Sequence, residues 1–172
     1  MDSIIMPNWC QNKLIIRAEN LEEIVEEITT GESIDFEKIV PVPNDPAYHD
    51  KPNQAEAKES PNWWYNWNVE NWGTKWNASE GYYDIHEKTT YYDAVAIFEF
   101  QTAWSPPEPI IHALAGKYPK ALFMLGYREE GMGFEGVLII NQGNVECDVS
   151  RDALPEISRE SVEWYDKPKE EE

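Results

Sequence analysis

The sequence predicts an α+β domain in which one antiparallel sheet carries two helices on a single face, in the chain order of a βαββαβ unit. Three observations predict it. Strand-period alternation runs through residues 9–18, 91–104 and 121–129. Residues 20–31 and 105–119 carry apolar stripes at helical period, each bounded by start and stop signals. Two further strand-like runs, 134–140 and 144–149, are joined by Asn141-Gln142-Gly143-Asn144, a hairpin turn by composition.

Taken in order, Cys10, Leu14 and Ile16 share one face of the first strand, with Asn12 interrupting, while Gln11, Lys13 and Arg17 face the other way. Asn20 stands three residues before Glu23, the spacing of a capping box. Leu21, Ile24, Val25 and Ile28 then form an apolar stripe opposite Glu22, Glu23, Glu26 and Glu27, which predicts a helix with its acidic face in water, ending near Gly31. Ile34, Phe36, Ile39 and Val40 make a short apolar segment closed by Pro41-Val42-Pro43 and are read as the second strand.

From Asn44 to Ser60 the chain is polar and broken by Pro46 and Pro52, a long surface excursion. Residues 61–78 then hold five of the eight tryptophans. Trp63 and Trp67 are four apart, as are Trp72 and Trp76, so each pair can share a helical face, and Gly73 ends a helix over 62–72. Tyr82 to Lys88 can form a strand. Tyr91 to Trp104 is the clearest strand in the chain, and its apolar character on both faces near its start predicts a central position. Ser105, Pro106-Pro107 and Glu108 read as a helix start with Ser105 as the capping residue. Ile110, Ile111, Leu114, Ala115 and Tyr118 make that helix's buried stripe, and Pro119 stops it.

Without the insert at about 44–80, the pattern is the ferredoxin-like split with an added C-terminal hairpin. Residues 1–150 are expected to form a single domain. Residues 151–172 are expected to be an acidic, partly ordered tail in which Trp164 is placed to dock on the body.

With 14 basic against 33 acidic residues in 172, the net charge is −19. That charge argues against direct nucleic-acid binding, which needs a basic face for phosphates, and against anionic membranes. It suits a basic partner protein or one that itself holds DNA, because opposite fields steer encounter. The two cysteines, Cys10 and Cys147, imply no disulfide framework. No apolar run approaches the roughly 20 residues of a membrane-spanning helix, and the first residues lack the pattern of a signal peptide. Cytoplasm is the expected compartment, which leaves the Asn77-Ala78-Ser79 sequon chemically idle.

No catalytic, metal or cofactor constellation emerges. Gly131-Met132-Gly133-Phe134-Glu135-Gly136 spells GxGxxG, but a dinucleotide loop needs a helix after it, and here the next element is a strand. His49, His86 and His112 are too far apart in sequence for a ligand motif, although Asp84 and His86 can face the same way on a strand. Cys10 reads as a small buried residue rather than a nucleophile. Glu99, Glu129 and Glu135 lie on or beside strands, so a general acid–base pair stays open on sequence alone, weakened by how many carboxylates the chain carries.

Several phrases are similar to a known family: Met6-Pro7-Asn8-Trp9-Cys10-Gln11-Asn12, Phe36-Glu37-Lys38-Ile39-Val40-Pro41, Trp72-Gly73-Thr74-Lys75-Trp76-Asn77-Ala78, Phe100-Gln101-Thr102-Ala103-Trp104-Ser105-Pro106-Pro107 and Tyr127-Arg128-Glu129-Glu130-Gly131. Together they resemble the YubB-like family, a ferredoxin-like domain of phage, plasmid and prophage proteins. The resemblance implies that fold and a mobile-element setting, and carries over no catalytic residues. It also implies that the family's usual start corresponds to Met6, with Met1 to Ile5 an extension, and it does not reach the acidic tail.

Two functions are expected. The first is a non-enzymatic accessory protein of a mobile element that binds and modulates a host protein, with an acidic DNA mimic or anti-defence inhibitor as a special case. The second is a sugar- or nucleotide-binding protein or enzyme using a tryptophan-lined cleft. For either, the candidate contact residues are Trp67, Trp72, Lys75, Trp76 and Trp104. Lys75 stands out as the only lysine or arginine between Glu59 and Lys88.

Overall fold

β1 (Trp9–Arg17) lies inside an antiparallel six-stranded sheet, paired on one side with β5 (Val95–Ala103) and on the other with β6 (Leu122–Glu129). β4 (Ser79–His86) closes the β5 edge. The hairpin of β7 (Phe134–Asn141) and β8 (Asn144–Asp152) extends the opposite edge, giving the order β4-β5-β1-β6-β7-β8. The first four strands in that order are the ferredoxin-like split, and the hairpin is the addition that the sequence predicts. The computed structural model describes residues 7–49, 59–88 and 93–152. The N-terminal extension, Pro52, Tyr91, Tyr92 and the segment carrying Trp164 lie outside the described residues.

Two helices cover one face, α1 (Leu21–Ile28) and α5 (Glu108–Lys117). Leu14, Ile16, Ala96, Phe98, Phe100, Phe123, Leu125, Leu138 and Ile140 point from the sheet into this layer. Leu21, Ile24, Val25 and Ile28 meet them from α1, and Ile110, Ile111, Leu114 and Ala115 from α5, as the two apolar stripes predict. The glutamates of α1 stay exposed. Glu27 is paired with Lys117 at 2.5 Å, with the Tyr118 hydroxyl donating as well, and these two bonds hold its carboxyl below the usual range.

Three local readings change in the folded chain. The segment 34–40 is not the second strand of the split. It divides into β3 (Ser33–Ile34), which pairs with β2 (Thr29–Thr30), and the one-turn helix α2 (Phe36–Ile39), capped by the Asp35 carboxylate on the Glu37 amide at 3.0 Å. β4 takes the second-strand position instead. Asn20 makes no backbone cap; its side chain donates to the Glu23 carboxylate at 3.1 Å. Ser105 does not cap α5, because its hydroxyl donates to the Gly73 carbonyl at 2.5 Å across 32 residues.

The insert adds α3 (Pro46–His49) and α4 (Trp64–Trp72), with α4 packed against α3 and α5. Gly73 ends α4 with φ 78°, and its N–H donates to the Val69 carbonyl, a left-handed cap that glycine adopts at little cost. The turn between β7 and β8 has Gln142 at φ 49° and Gly143 at φ 76°, two positive values that match the twist of a two-residue hairpin. No described helix is long and apolar enough to cross a membrane.

Candidate functional site

The shared phrases meet at one place, the end of the sheet where β1 begins and β5 finishes. Trp9 is in register with Ala103, and the Trp104 amide donates to the Asn8 carbonyl at 2.9 Å. Asn12, buried in the apolar face of β1, donates to the Cys10 carbonyl at 3.0 Å and to the Thr102 hydroxyl at 2.9 Å. The Thr102 hydroxyl in turn donates to the Ser105 carbonyl at 2.7 Å. A polar residue interrupts the strand's apolar face because it ties two strands and a turn together. Asn12→Ala is expected to cost about 1–3 kcal/mol, the penalty for stranding buried partners, read as a lower midpoint in urea unfolding.

The insert is fastened to the same junction. Thr74, 1% exposed, donates to the Ala103 carbonyl at 2.8 Å. Trp72 donates its indole N–H to the Val40 carbonyl at 2.9 Å and packs edge-on against Phe36 and Trp67. The Asn77 side chain accepts from the Phe36 amide at 2.9 Å and donates to the Asp35 carboxylate at 2.8 Å. Asn68, buried in α4, donates to the Lys75 carbonyl at 2.9 Å and accepts from the Tyr48 hydroxyl at 2.9 Å. In Trp72–Ala78, then, Trp72, Gly73, Thr74 and Asn77 all hold the fold.

Lys75 and Trp76 do something else. The Lys75 ammonium lies 4.2 Å from the centre of the Trp76 ring and 6.0 Å from that of Trp64, so it sits over indole faces, whose quadrupoles attract a cation. Trp76 is 36% exposed and packs against Trp9 with ring centres 6.2 Å apart. A surface cluster of three indoles and one ammonium results.

The five residues expected from the sequence therefore separate. Lys75 and Trp76 stand together at the surface. Trp72 is buried at 2%, which makes it a core residue, and Trp67 packs on it, half-buried. Trp104 lies at the junction with φ 74°, a strained left-handed conformation for a non-glycine residue. Trp9 and Trp64 join the cluster without having been singled out in the sequence. Trp9 opens a shared phrase at the head of a strand, a position that could have drawn attention to it. Nothing local distinguishes Trp64 from its neighbours.

The carboxylates on strands do not converge. Glu129 turns to the helix side, where it accepts from the Gly131 and Met132 amides and fastens the β6–β7 turn that spells GxGxxG. Glu135 is on the opposite face, held by Arg151 at 2.8 Å and by Arg128 at 3.9 Å. Glu99 accepts from Tyr82 on β4 and pairs with Lys13 at 3.9 Å. Asp84 and His86 do face the same way, 3.7 Å apart and exposed. Among the described residues no three of His, Cys, Asp and Glu gather as metal ligands would. Burial pushes the Cys10 thiol up to about 12, so it is not a nucleophile at neutral pH.

A comparison with solved structures finds a crystal structure of a protein api92 from Yersinia pseudotuberculosis, with a TM-score of 0.56 and 9% identity, covering 87% of this chain and 100% of that one. At that identity the likeness speaks to the fold. No curated protein sequence matches. A family model described as "Ferredoxin-like domain in Api92-like protein" matches residues 71–167, from the end of α4 through β8 and beyond. Since that match spans more than half of its residues, the chain belongs to the Api92-like family of phage- and plasmid-associated proteins, in keeping with the shared phrases.

Proposed function

We propose that this chain is a non-enzymatic accessory protein of a mobile genetic element that binds a host protein, using the Lys75–Trp76 cluster as its anchor. One observation carries the reading: within Trp72–Ala78 the residues around Lys75 and Trp76 are engaged in the junction, while Trp76 stays exposed with the half-buried Lys75 ammonium against its ring. Tryptophan is among the residues most enriched as interface anchors.

The partner is a basic or DNA-binding protein. The −19 charge and the exposed glutamates of α1 favour such a partner, and an acidic surface that substitutes for DNA is the special case of an anti-defence inhibitor. The alternative, a sugar or nucleotide bound in a tryptophan-lined cleft, is less well supported, because Trp72 and Trp67 belong to the core and leave fewer rings to line a cleft.

Affinity capture from host lysate tests the proposal. The expected result is a basic or DNA-binding protein retained at low ionic strength and released by salt, since screening within about 10 Å at 0.1 M weakens exposed charge contacts. Capture of nothing even at low salt would overturn it. Stabilisation by sugars or nucleotides in a thermal-shift screen would favour the alternative.

A further inference from the structure

Among the described residues no helix covers the second face of the sheet, and the middle of that face is apolar. Ile97, Ile15, Met124, Ile139 and Cys147 lie in register across β5, β1, β6, β7 and β8. The next row runs from one sheet edge to the other through Tyr82, Glu99, Lys13, Gly126, Val137 and Val149. Gly126 opens that row at its centre, since the space where its side chain would be is empty. The result is a groove of about 300 Å³ lined mainly by Ile15, Met124, Val137, Ile139, Cys147 and Val149. The residues at the two ends of the row, Tyr82 and Val149, are 53% and 54% exposed.

The charges on this face nearly cancel, although the chain carries −19. All three arginines of the described residues, Arg17, Arg128 and Arg151, project from it with Lys13, against the carboxylates Asp84, Glu99 and Glu135. Lys13 pairs with Glu99 at 3.9 Å, and Arg128 and Arg151 share Glu135. That sharing leaves a positive surplus on the side of β6, β7 and β8, while Asp84 leaves a negative one at the β4 edge. A second chain of the same charge is repelled by surfaces such as the exposed glutamates of α1. The open face is where two copies can approach without that penalty. It is also large enough. Six strands ~4.8 Å apart, rising ~3.3 Å per residue over about eight residues, make a face of about 600 Å². Two such faces cover about 1,200 Å², the lower end of the range for stable interfaces.

We propose that two copies of this chain pair through their open sheet faces, about a twofold axis parallel to the strands. A twofold contact presents the same patch from both sides, so the central apolar row of one copy packs on that of the other. Sheets stacked in this way lie ~10 Å apart with their side chains interdigitating. The same axis sets β4 of each copy over β8 of the other. Tyr82 then meets the groove at Val149 of the second copy, and the acidic edge of one face meets the basic side of the other. The interface uses no residue of the Lys75–Trp76 cluster, so it stands or falls apart from host-protein binding.

Sedimentation equilibrium of the full chain tests the pairing. The expected result is twice the chain mass at high micromolar concentration, falling toward the single-chain mass on dilution. Ile15→Glu, at the centre of the face, is expected to stay at the single-chain mass over the same range. Val149→Glu changes an exposed edge residue and decides the matter if Ile15→Glu unfolds. It is expected to move the dissociation midpoint to a concentration higher by about tenfold or more, because a symmetric interface receives the added charge twice. Trp76→Ala is expected to pair like wild type. Cys147 lines the groove and Cys10 is buried, so maleimide labelling of Cys147 follows the cover and is expected to slow as protein concentration rises. A single-chain mass throughout the range would overturn the proposal, as would a dimer unaffected by Val149→Glu or one that Trp76→Ala abolishes. Protection of Cys147 that does not change with concentration would also overturn it.

Discussion

Trp72→Ala is expected to destabilise the fold by about 3–5 kcal/mol, the range for removing a buried indole. Trp72 is 2% exposed and wedges α4 into the core, edge-on to Phe36 with ring centres 5.9 Å apart and to Trp67 at 5.6 Å. The substitution opens a cavity among these rings and also strands the Val40 carbonyl, which accepts the indole N–H at 2.9 Å. Against a typical total of about 5–15 kcal/mol, that loss is large. In urea unfolding the midpoint should fall sharply with an unchanged slope. A loss below about 1 kcal/mol would mean that the site collapses around the alanine or that the insert is not part of the core.

Gly73→Ala is expected to cost about 2–4 kcal/mol, from two sources that act together. The first is the backbone, since φ 78° disfavours any residue with a Cβ. The second is space. A Cβ here would lie 2.6 Å from Pro109 Cδ and 3.0 Å from the Pro106 carbonyl oxygen, at the start of α5. Because the Gly73 carbonyl also accepts from Ser105, moving it loosens the bond between the insert and that helix. Asn tolerates positive φ better than alanine does, so the pair separates the sources. If contact with the prolines dominates, Gly73→Asn loses as much as Gly73→Ala in the same unfolding measurement. If Asn restores stability, backbone strain dominates instead.

Gly73 also explains why the two tryptophans beside it part company. Trp72 and Trp76 are four apart, the spacing of one helical face, yet one is buried and the other is at the surface. The left-handed turn at Gly73 breaks the helical period between them. The sequence reading already ends the helix at Gly73, and the helix Trp64–Trp72 with its left-handed glycine cap agrees, so the four-residue spacing of Trp72 and Trp76 is not a shared helical face.

The sheet and its two helices were legible because each rests on local period: Cys10, Leu14 and Ile16 alternate, and Ile110, Ile111, Leu114 and Ala115 recur at helical spacing. The second strand was harder. Inward residues of β4 include Ser79 and Gly81, so its alternation is weak, whereas Ile34, Phe36 and Ile39 look more apolar while forming a turn of helix over the core. The junction was not legible as bonding. Asn12–Thr102, Asn77–Phe36 and Thr74–Ala103 each join residues tens of positions apart, and Ser105 satisfies a distant carbonyl instead of its own helix. The groove needed strand register, because its lining comes one or a few residues at a time from four strands.

Under the proposed function, Lys75 and Trp76 bind while their neighbours hold the fold. The direct test is the affinity of the captured host protein for Trp76→Ala and for wild type, measured at two salt concentrations beside each protein's thermal midpoint. A binding anchor predicts a loss of affinity of about 30-fold or more, the effect of removing a hot-spot side chain worth ~2 kcal/mol, with a midpoint far closer to wild type than that of Trp72→Ala. Unchanged affinity in a folded Trp76→Ala protein would contradict it.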